Sequence, residues 1–67
     1  MASTHNYTTA LLPAIDLDST MVLVGESGGL SAVYDVANSY AMPGLLVVET
    51  EHGSLYLDPD LHVEVLA

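Results

Sequence analysis

Apolar and polar positions alternate, or form short apolar runs, in five segments that are separated by stretches containing Gly, Pro, Asp or Ser. Met21-Val22-Leu23-Val24 is a β-branched run that ends at the glycine-rich segment 25–29, and His62-Val63-Glu64-Val65-Leu66 alternates strictly. Short runs of this kind between turn-forming residues are typical of β-strands. The pattern therefore predicts five strands, at residues 20–24, 30–37, 45–50, 54–57 and 62–66.

At two of the breaks between these strands, the residues indicate the kind of turn. Glu51-His52-Gly53 predicts a hairpin turn in which Gly53 supplies the positive φ. Asp58-Pro59-Asp60 interrupts the ladder, because proline lacks a backbone donor and aspartate favours the start of a helical turn. We therefore expect a single helical turn before the last strand.

Residues 30–41 fit two periods. At period two, Leu30, Ala32, Tyr34 and Val36 share one face, whereas helical spacing gives an equally good stripe. The preceding Gly28-Gly29 reads better as a hairpin turn than as a helix start, so a strand is favoured. The alternative is an α+β fold with a helix at about 31–41 packed on a hairpin sheet.

The chain of 67 residues is long enough for one domain. Residues 1–10 are mostly polar and aperiodic, so we expect a flexible N-terminal arm. Residues 11–67 are expected to form a single small domain.

Five short strands with a helical turn before the fifth resemble the SH3-like small barrel, over about two-thirds of the chain. The resemblance implies an all-β closed barrel. Tyr34 and Tyr56 lie in strand patterns, so we expect them in the core with their hydroxyls reaching the surface. The resemblance is one of architecture, so it carries no activity. Such barrels usually recognise partners through their loops and one curved face, which implies a binding module.

The stretch from Val48 to Asp60 resembles, in style, the short orphan proteins of actinobacterial phages. That resemblance implies a host-takeover protein that binds a bacterial target, or a minor virion component. Residues 1–15 carry no basic targeting segment, and no apolar run approaches the length of a membrane span, so we expect a cytoplasmic location, which would be the host cytoplasm or the virion for a phage protein.

Charge excludes several functions. The chain has no Lys or Arg, nine Asp and Glu residues and a formal net charge of −9. Without a fixed cation it cannot neutralise phosphates, so we expect no direct binding to nucleic acid or to an anionic membrane face. No Cys is present, which removes disulfides, thiolate metal sites and cysteine nucleophiles.

The chain is rich in apolar residues and poor in charged ones. Apolar residues make up 51% of the chain and charged residues only 13%. A domain of about 60 residues buries only about 60% of the surface that its unfolded chain exposes. Much apolar area is therefore left at the surface, or is covered by another protein.

One motif suggests hydrolysis. Gly25-Glu26-Ser27-Gly28-Gly29 satisfies G-x-S-x-G after a strand and resembles the serine-protease G-D-S-G-G segment with Glu in place of Asp. A working site also needs a positioned His, an orienting acid and an oxyanion hole, which forty further residues cannot hold in place. We expect a glycine-rich hairpin turn and no enzymatic activity.

Two other clusters have simple explanations. Asp58, Asp60 and His62 offer oxygen and imidazole ligands, but they lack the ligand ladder of a calcium loop. The pairs Asp16/Asp18 and Glu49/Glu51 would each share a strand face without a cleft around them. We predict turn-capping and solvated carboxylates, with no metal and no cofactor.

The remaining candidates point to protein binding. Tyr40 and Met42 fall in a predicted loop, where they act either as an interface anchor or as a cap on the barrel end. The other predicted binding residues are polar: Glu49, Glu51, His52, Asp58, Asp60 and Glu64.

We expect a non-enzymatic acidic interaction module that forms a homo-oligomer or binds a basic protein surface. The alternative is a DNA mimic, in which Glu49, Glu51, Asp58, Asp60 and Glu64 gather on one side and occupy the nucleic-acid site of a DNA-binding protein.

Overall fold

The computed structural model describes residues 7–67, which form six strands and one 3₁₀ turn. In chain order these are β1 (Thr9–Pro13), the 3₁₀ turn (Ala14–Asp16), β2 (Val22–Val24), β3 (Leu30–Asn38), β4 (Leu46–Thr50), β5 (Gly53–Leu57) and β6 (His62–Leu66). The all-β prediction is confirmed, and β2 to β6 lie close to the predicted bounds. No helix among these residues is long and apolar enough to span a membrane.

The strands form one open antiparallel sheet with the order β1-β6-β2-β3-β4-β5. The prediction of a closed five-stranded barrel is therefore wrong. β1, which the sequence pattern did not predict, pairs with β6 from Thr9 opposite Leu66 to Pro13 opposite His62. Because β1 occupies the free side of β6 and does not pair with β5, two edges remain open. Residues 1–6, most of the predicted arm, lie outside the described residues.

The segment that fitted two periods is the long strand β3, so the alternative of a helix at about 31–41 is wrong. β3 changes register between Val33 opposite Thr50 and Asp35 opposite Glu49. The bulge inserts Tyr34 as an extra residue, which breaks the alternation of faces. Tyr34 is consequently 62% exposed, and its predicted place in the core is wrong.

The turn before the last strand also differs from the prediction. Residues 58–61 form a hydrogen-bonded turn in which the Leu61 N–H donates to the Asp58 carbonyl at 3.0 Å. The Asp60 N–H donates to Asp58 Oδ1 at 3.1 Å, so the aspartate closes the turn without a helix. The single 3₁₀ turn lies instead after β1, and its Ala14 N–H donates to the Leu61 carbonyl at 2.8 Å.

The core is small. Its buried cluster consists of Ala14, Leu17, Val33, Leu46, Val48 and Val65. The ladder places Leu55 opposite Val48 and Leu57 opposite Leu46, so both leucines lie on the core side of the sheet. Tyr56 lies on the other side and is exposed, which corrects its predicted place in the core. Among residues 7–67 the largest fully buried side chains are those of Val33 and Val48, whereas several leucines and tyrosines remain exposed.

Candidate binding groove

An open groove of about 610 Å³ is lined by residues of β5, of the β2–β3 hairpin and of β6. Both edge strands contribute to it, β1 through Leu11 and β5 through Leu55 and Leu57. The other lining residues are Leu23, Val24, Gly25, Glu26, Gly29, Leu30, Ser31, His52, His62, Val63 and Glu64. The groove thus lies where the sheet fails to close.

The floor and the rim of the groove differ in burial. Leu23, Leu57 and Val63 also pack against the core cluster, so the hydrophobic interior continues into the groove floor. Leu11 and Leu55 at the rim are 69% and 42% exposed. Leu55 lies on the core side of the sheet beside Leu57, so there the exposed apolar surface continues the packed core, which is typical of protein-binding sites.

The tip of the β4–β5 hairpin forms one end of the groove and is tied to β3 by two residues. The Glu51 N–H donates to the Ala32 carbonyl at 3.1 Å, and the Ala32 N–H donates to Glu51 Oε1 at 2.9 Å. His52 Nδ1 lies 2.7 Å from Ser31 Oγ. Glu51 therefore pairs with Ala32 through both its backbone N–H and its side chain. This pairing positions the His52 imidazole at the groove.

Ser31 and His52 have the contact of a nucleophile and a base, which sequence reasoning missed because the two residues are distant in the chain. His52 Nε2 has no hydrogen-bond partner among residues 7–67, so no acid of that part orients the ring. Ser27, the residue of the G-x-S-x-G motif, lies on the turn between β2 and β3. That turn is a hairpin turn, as predicted, and β3 rather than a helix follows it.

Carboxylates flank the apolar lining. Glu64 is half-buried on β6, and its Oε2 accepts a hydrogen bond from Thr9 Oγ1 at 2.6 Å. Glu26 lies on the turn between β2 and β3 and is exposed. Because the chain contains no Lys or Arg, any fixed cation that meets these carboxylates has to come from a partner.

Of the predicted binding residues, the structure brings only His52 and Glu64 to the groove. Tyr40 is fully exposed and Met42 nearly half-exposed, in the connection between β3 and β4. Complete exposure means that Tyr40 does not cap the end of the sheet. Seven of the twelve groove residues that sequence reasoning missed are leucines or valines, whose pattern is the same for a core position and a groove position.

Glu49, Asp58 and Asp60 lie outside the groove, and the carboxylates of the first two accept local hydrogen bonds. Glu49 Oε1 accepts from Ser54 Oγ at 2.5 Å, and Asp58 caps the turn described above. Asp60 is exposed on that turn, where its carbonyl lies 3.2 Å from His62 Nδ1. Among residues 7–67, no three His, Asp or Glu side chains come together in a way that could hold a metal ion.

Comparison with protein-family models, with curated proteins and with solved structures finds no match for this chain.

Proposed function

We propose that this protein is a non-enzymatic interaction module whose groove binds an extended segment of a partner protein that carries apolar side chains and flanking Lys or Arg. The observation that carries this proposal is the apolar groove between two unpaired sheet edges, with Glu26 and Glu64 in its lining. A segment bound in the groove covers the exposed part of Leu55.

An extended polypeptide suits the groove better than a small molecule does. Small-molecule pockets enclose most of the ligand surface, whereas this groove is open to solvent. Extended segments bind such surfaces by placing alternate side chains in apolar positions, while the other side chains point outward. Every strand except β4 supplies an apolar position here, so the groove offers several apolar contacts to such a segment.

Electrostatic attraction determines which charge the partner segment carries. Every fixed charge of the chain's side chains is negative, so a basic segment is attracted from a distance and an acidic one is repelled. Screening shortens this attraction to about 10 Å at 0.1 M salt and about 3 Å at 1 M. Binding should therefore weaken as salt rises.

We favour this function over DNA mimicry because the five carboxylates proposed for mimicry lie on β4, its hairpin turn, the 58–61 turn and β6. Four of them, Glu49, Glu51, Asp58 and Glu64, accept hydrogen bonds from within the chain. A mimic would need them gathered along one side at a spacing close to that of phosphates.

The test uses a short fluorescent peptide in which Lys and Leu alternate, with its Glu and Leu counterpart as a charge control. Fluorescence anisotropy measures the Kd with the unlabelled protein at low and high salt. We expect the Lys peptide to bind and the Glu peptide to fail. We expect Glu26→Gln to weaken binding and to reduce its salt dependence, whereas Glu49→Gln, which lies outside the groove, has a smaller effect.

A matched pair of leucines tests the groove itself. Leu55 in the groove and Leu61 outside it are 42% and 49% exposed, so Leu55→Ser and Leu61→Ser remove comparable apolar surface. We expect Leu55→Ser to raise the Kd about fivefold, from loss of about 1 kcal/mol of apolar contact, and Leu61→Ser to leave it unchanged. Equal effects of both variants would show that the peptide only follows net charge.

A further inference from the structure

The edge strand β5 has a partner on one side only. β4 pairs with it from Thr50 opposite Gly53 to Leu46 opposite Leu57, and the strand order ends there. Four of its five residues, all except Leu57, are exposed. An edge strand of this kind offers a row of backbone donors and acceptors to any strand that fits beside it.

β5 lacks the features with which proteins usually protect such an edge. Its residues Gly53-Ser54-Leu55-Tyr56-Leu57 include no charge and no proline, and its ladder with β4 has no register shift. Lys at the edge, proline and bulges are the common protections. The other edge, β1, ends in Pro13, which cannot donate a backbone hydrogen bond.

We propose that β5 pairs with β5 of a second copy of this chain, antiparallel and about a two-fold axis at Leu55. This register pairs all five uncharged residues, with Leu55 opposite Leu55, Ser54 opposite Tyr56 and Gly53 opposite Leu57. The two sheets become one continuous sheet, and no edge at β5 remains.

Charge favours β5 over charged parts of the surface as the place where two copies meet. Each chain has a net charge of −9, so two copies repel over most of their surface, and β5 is a segment where an uncharged strand meets an uncharged strand. In the proposed register the nearest flanking carboxylate, Asp58, lies opposite His52 of the second copy rather than opposite another carboxylate. Salt screens the repulsion of the two copies, so dimerisation should strengthen with salt.

The inference goes beyond the proposed function and has the opposite salt dependence. Binding of a basic segment weakens as salt rises, whereas the dimer forms more readily. Glu26→Gln should alter peptide binding and leave dimerisation unchanged, because Glu26 lies on the turn between β2 and β3 and not on β5. Peptide binding and dimerisation can therefore each be refuted without refuting the other.

Sedimentation equilibrium of the full chain, from low to high salt, is the first measurement. We expect the mass to rise from 7.0 kDa towards twice that value as protein and salt concentrations increase. Leu55→Lys places two like charges directly opposite each other, so it should remain monomeric where the parent chain dimerises. Leu61→Lys has the same net charge and should dimerise like the parent chain. A parent chain that stays monomeric at all concentrations and salts would overturn the proposal.

The absence of cysteine from the chain makes a second, register-specific test possible. Single Leu55→Cys, Leu11→Cys and Leu61→Cys variants are oxidised and analysed on a non-reducing gel, with circular dichroism to verify folding. At the two-fold axis the two thiols introduced at position 55 face each other across an antiparallel pair, at a separation that suits a disulfide. We expect Leu55→Cys to cross-link rapidly and the others slowly. Faster cross-linking of Leu11→Cys would assign the contact to β1 and refute pairing at β5.

Discussion

Val48→Ala tests whether the small valine core determines the stability of the fold. Val48 lies in the middle of β4 with no exposed surface, within the buried cluster that includes Val33 and Leu46. Its neighbour Val47 lies on the same strand, faces the other side of the sheet and is half-buried. Val47→Ala is therefore a matched control, because both substitutions lower the β-propensity of the same strand.

The structure allows the size of the effect to be estimated. Val48→Ala removes two methyl groups, which costs about 1.6 kcal/mol at about 0.8 kcal/mol for each group. The cavity left in a rigid core raises the loss in unfolding free energy to about 2–3 kcal/mol. A chain of this length is stable by only about 3–10 kcal/mol in total, so Tm should fall by about 10–20 °C.

Urea denaturation followed by circular dichroism measures the difference. We expect the midpoint of Val48→Ala to fall at an unchanged m-value, and Val47→Ala to lose about 1 kcal/mol or less. Equal losses in the two variants would show that strand propensity, rather than burial in this cluster, determines the stability. A reduced m-value would mean that the variant no longer unfolds from the same compact state.

Two further predictions concern local structure. Gly53 has a φ of +118°, and a Cβ added there would meet no atom within 4 Å, so Gly53→Ala should cost about 1–2 kcal/mol from backbone strain alone, while Gly29→Ala, which has no positive φ, should be tolerated in the same denaturation assay. The hydrogen bonds from the Thr20 hydroxyl and the Thr20 N–H lower the pKa of Asp18 below its usual 3.8. Thr20→Val should raise that pKa towards 3.8 in an NMR titration. A carboxyl whose pKa is lowered by folding stabilises the folded state at pH values above its unfolded-state pKa. This contribution should therefore disappear as pH falls below about 3.8. An unchanged Asp18 pKa in the variant would contradict the assignment.

Five of the six strands could be predicted because their signal is local. β-Branched runs such as residues 21–24, and the breaks at Gly53 and Pro59, act through backbone sterics within a few residues. β1 could not be predicted in this way. Its residues Thr9–Pro13 follow a polar segment and end in a proline, and they become a strand because β6 offers a free edge beside them.

The two tyrosines expected in the core show a different limit. Alternation predicts one face for Leu30, Ala32, Tyr34 and Val36, but the bulge in β3 shifts Tyr34 out of step. Tyr56 alternates regularly, and only the pairing of β5 with β4 determines which face is buried. A period of two indicates two faces without indicating which of them meets the core.

Composition alone determined the electrostatic character of the protein, since a chain without Lys or Arg is anionic in any fold and cannot bind phosphate groups with side-chain cations of its own. It also determined that apolar surface exceeds the capacity of so small an interior. Where that surface lies was decided by tertiary structure. The groove, the Ser31–His52 contact and the open edge of β5 all depend on which distant strands pair, and long-range pairing reflects the free energy of the whole sheet rather than of any single segment.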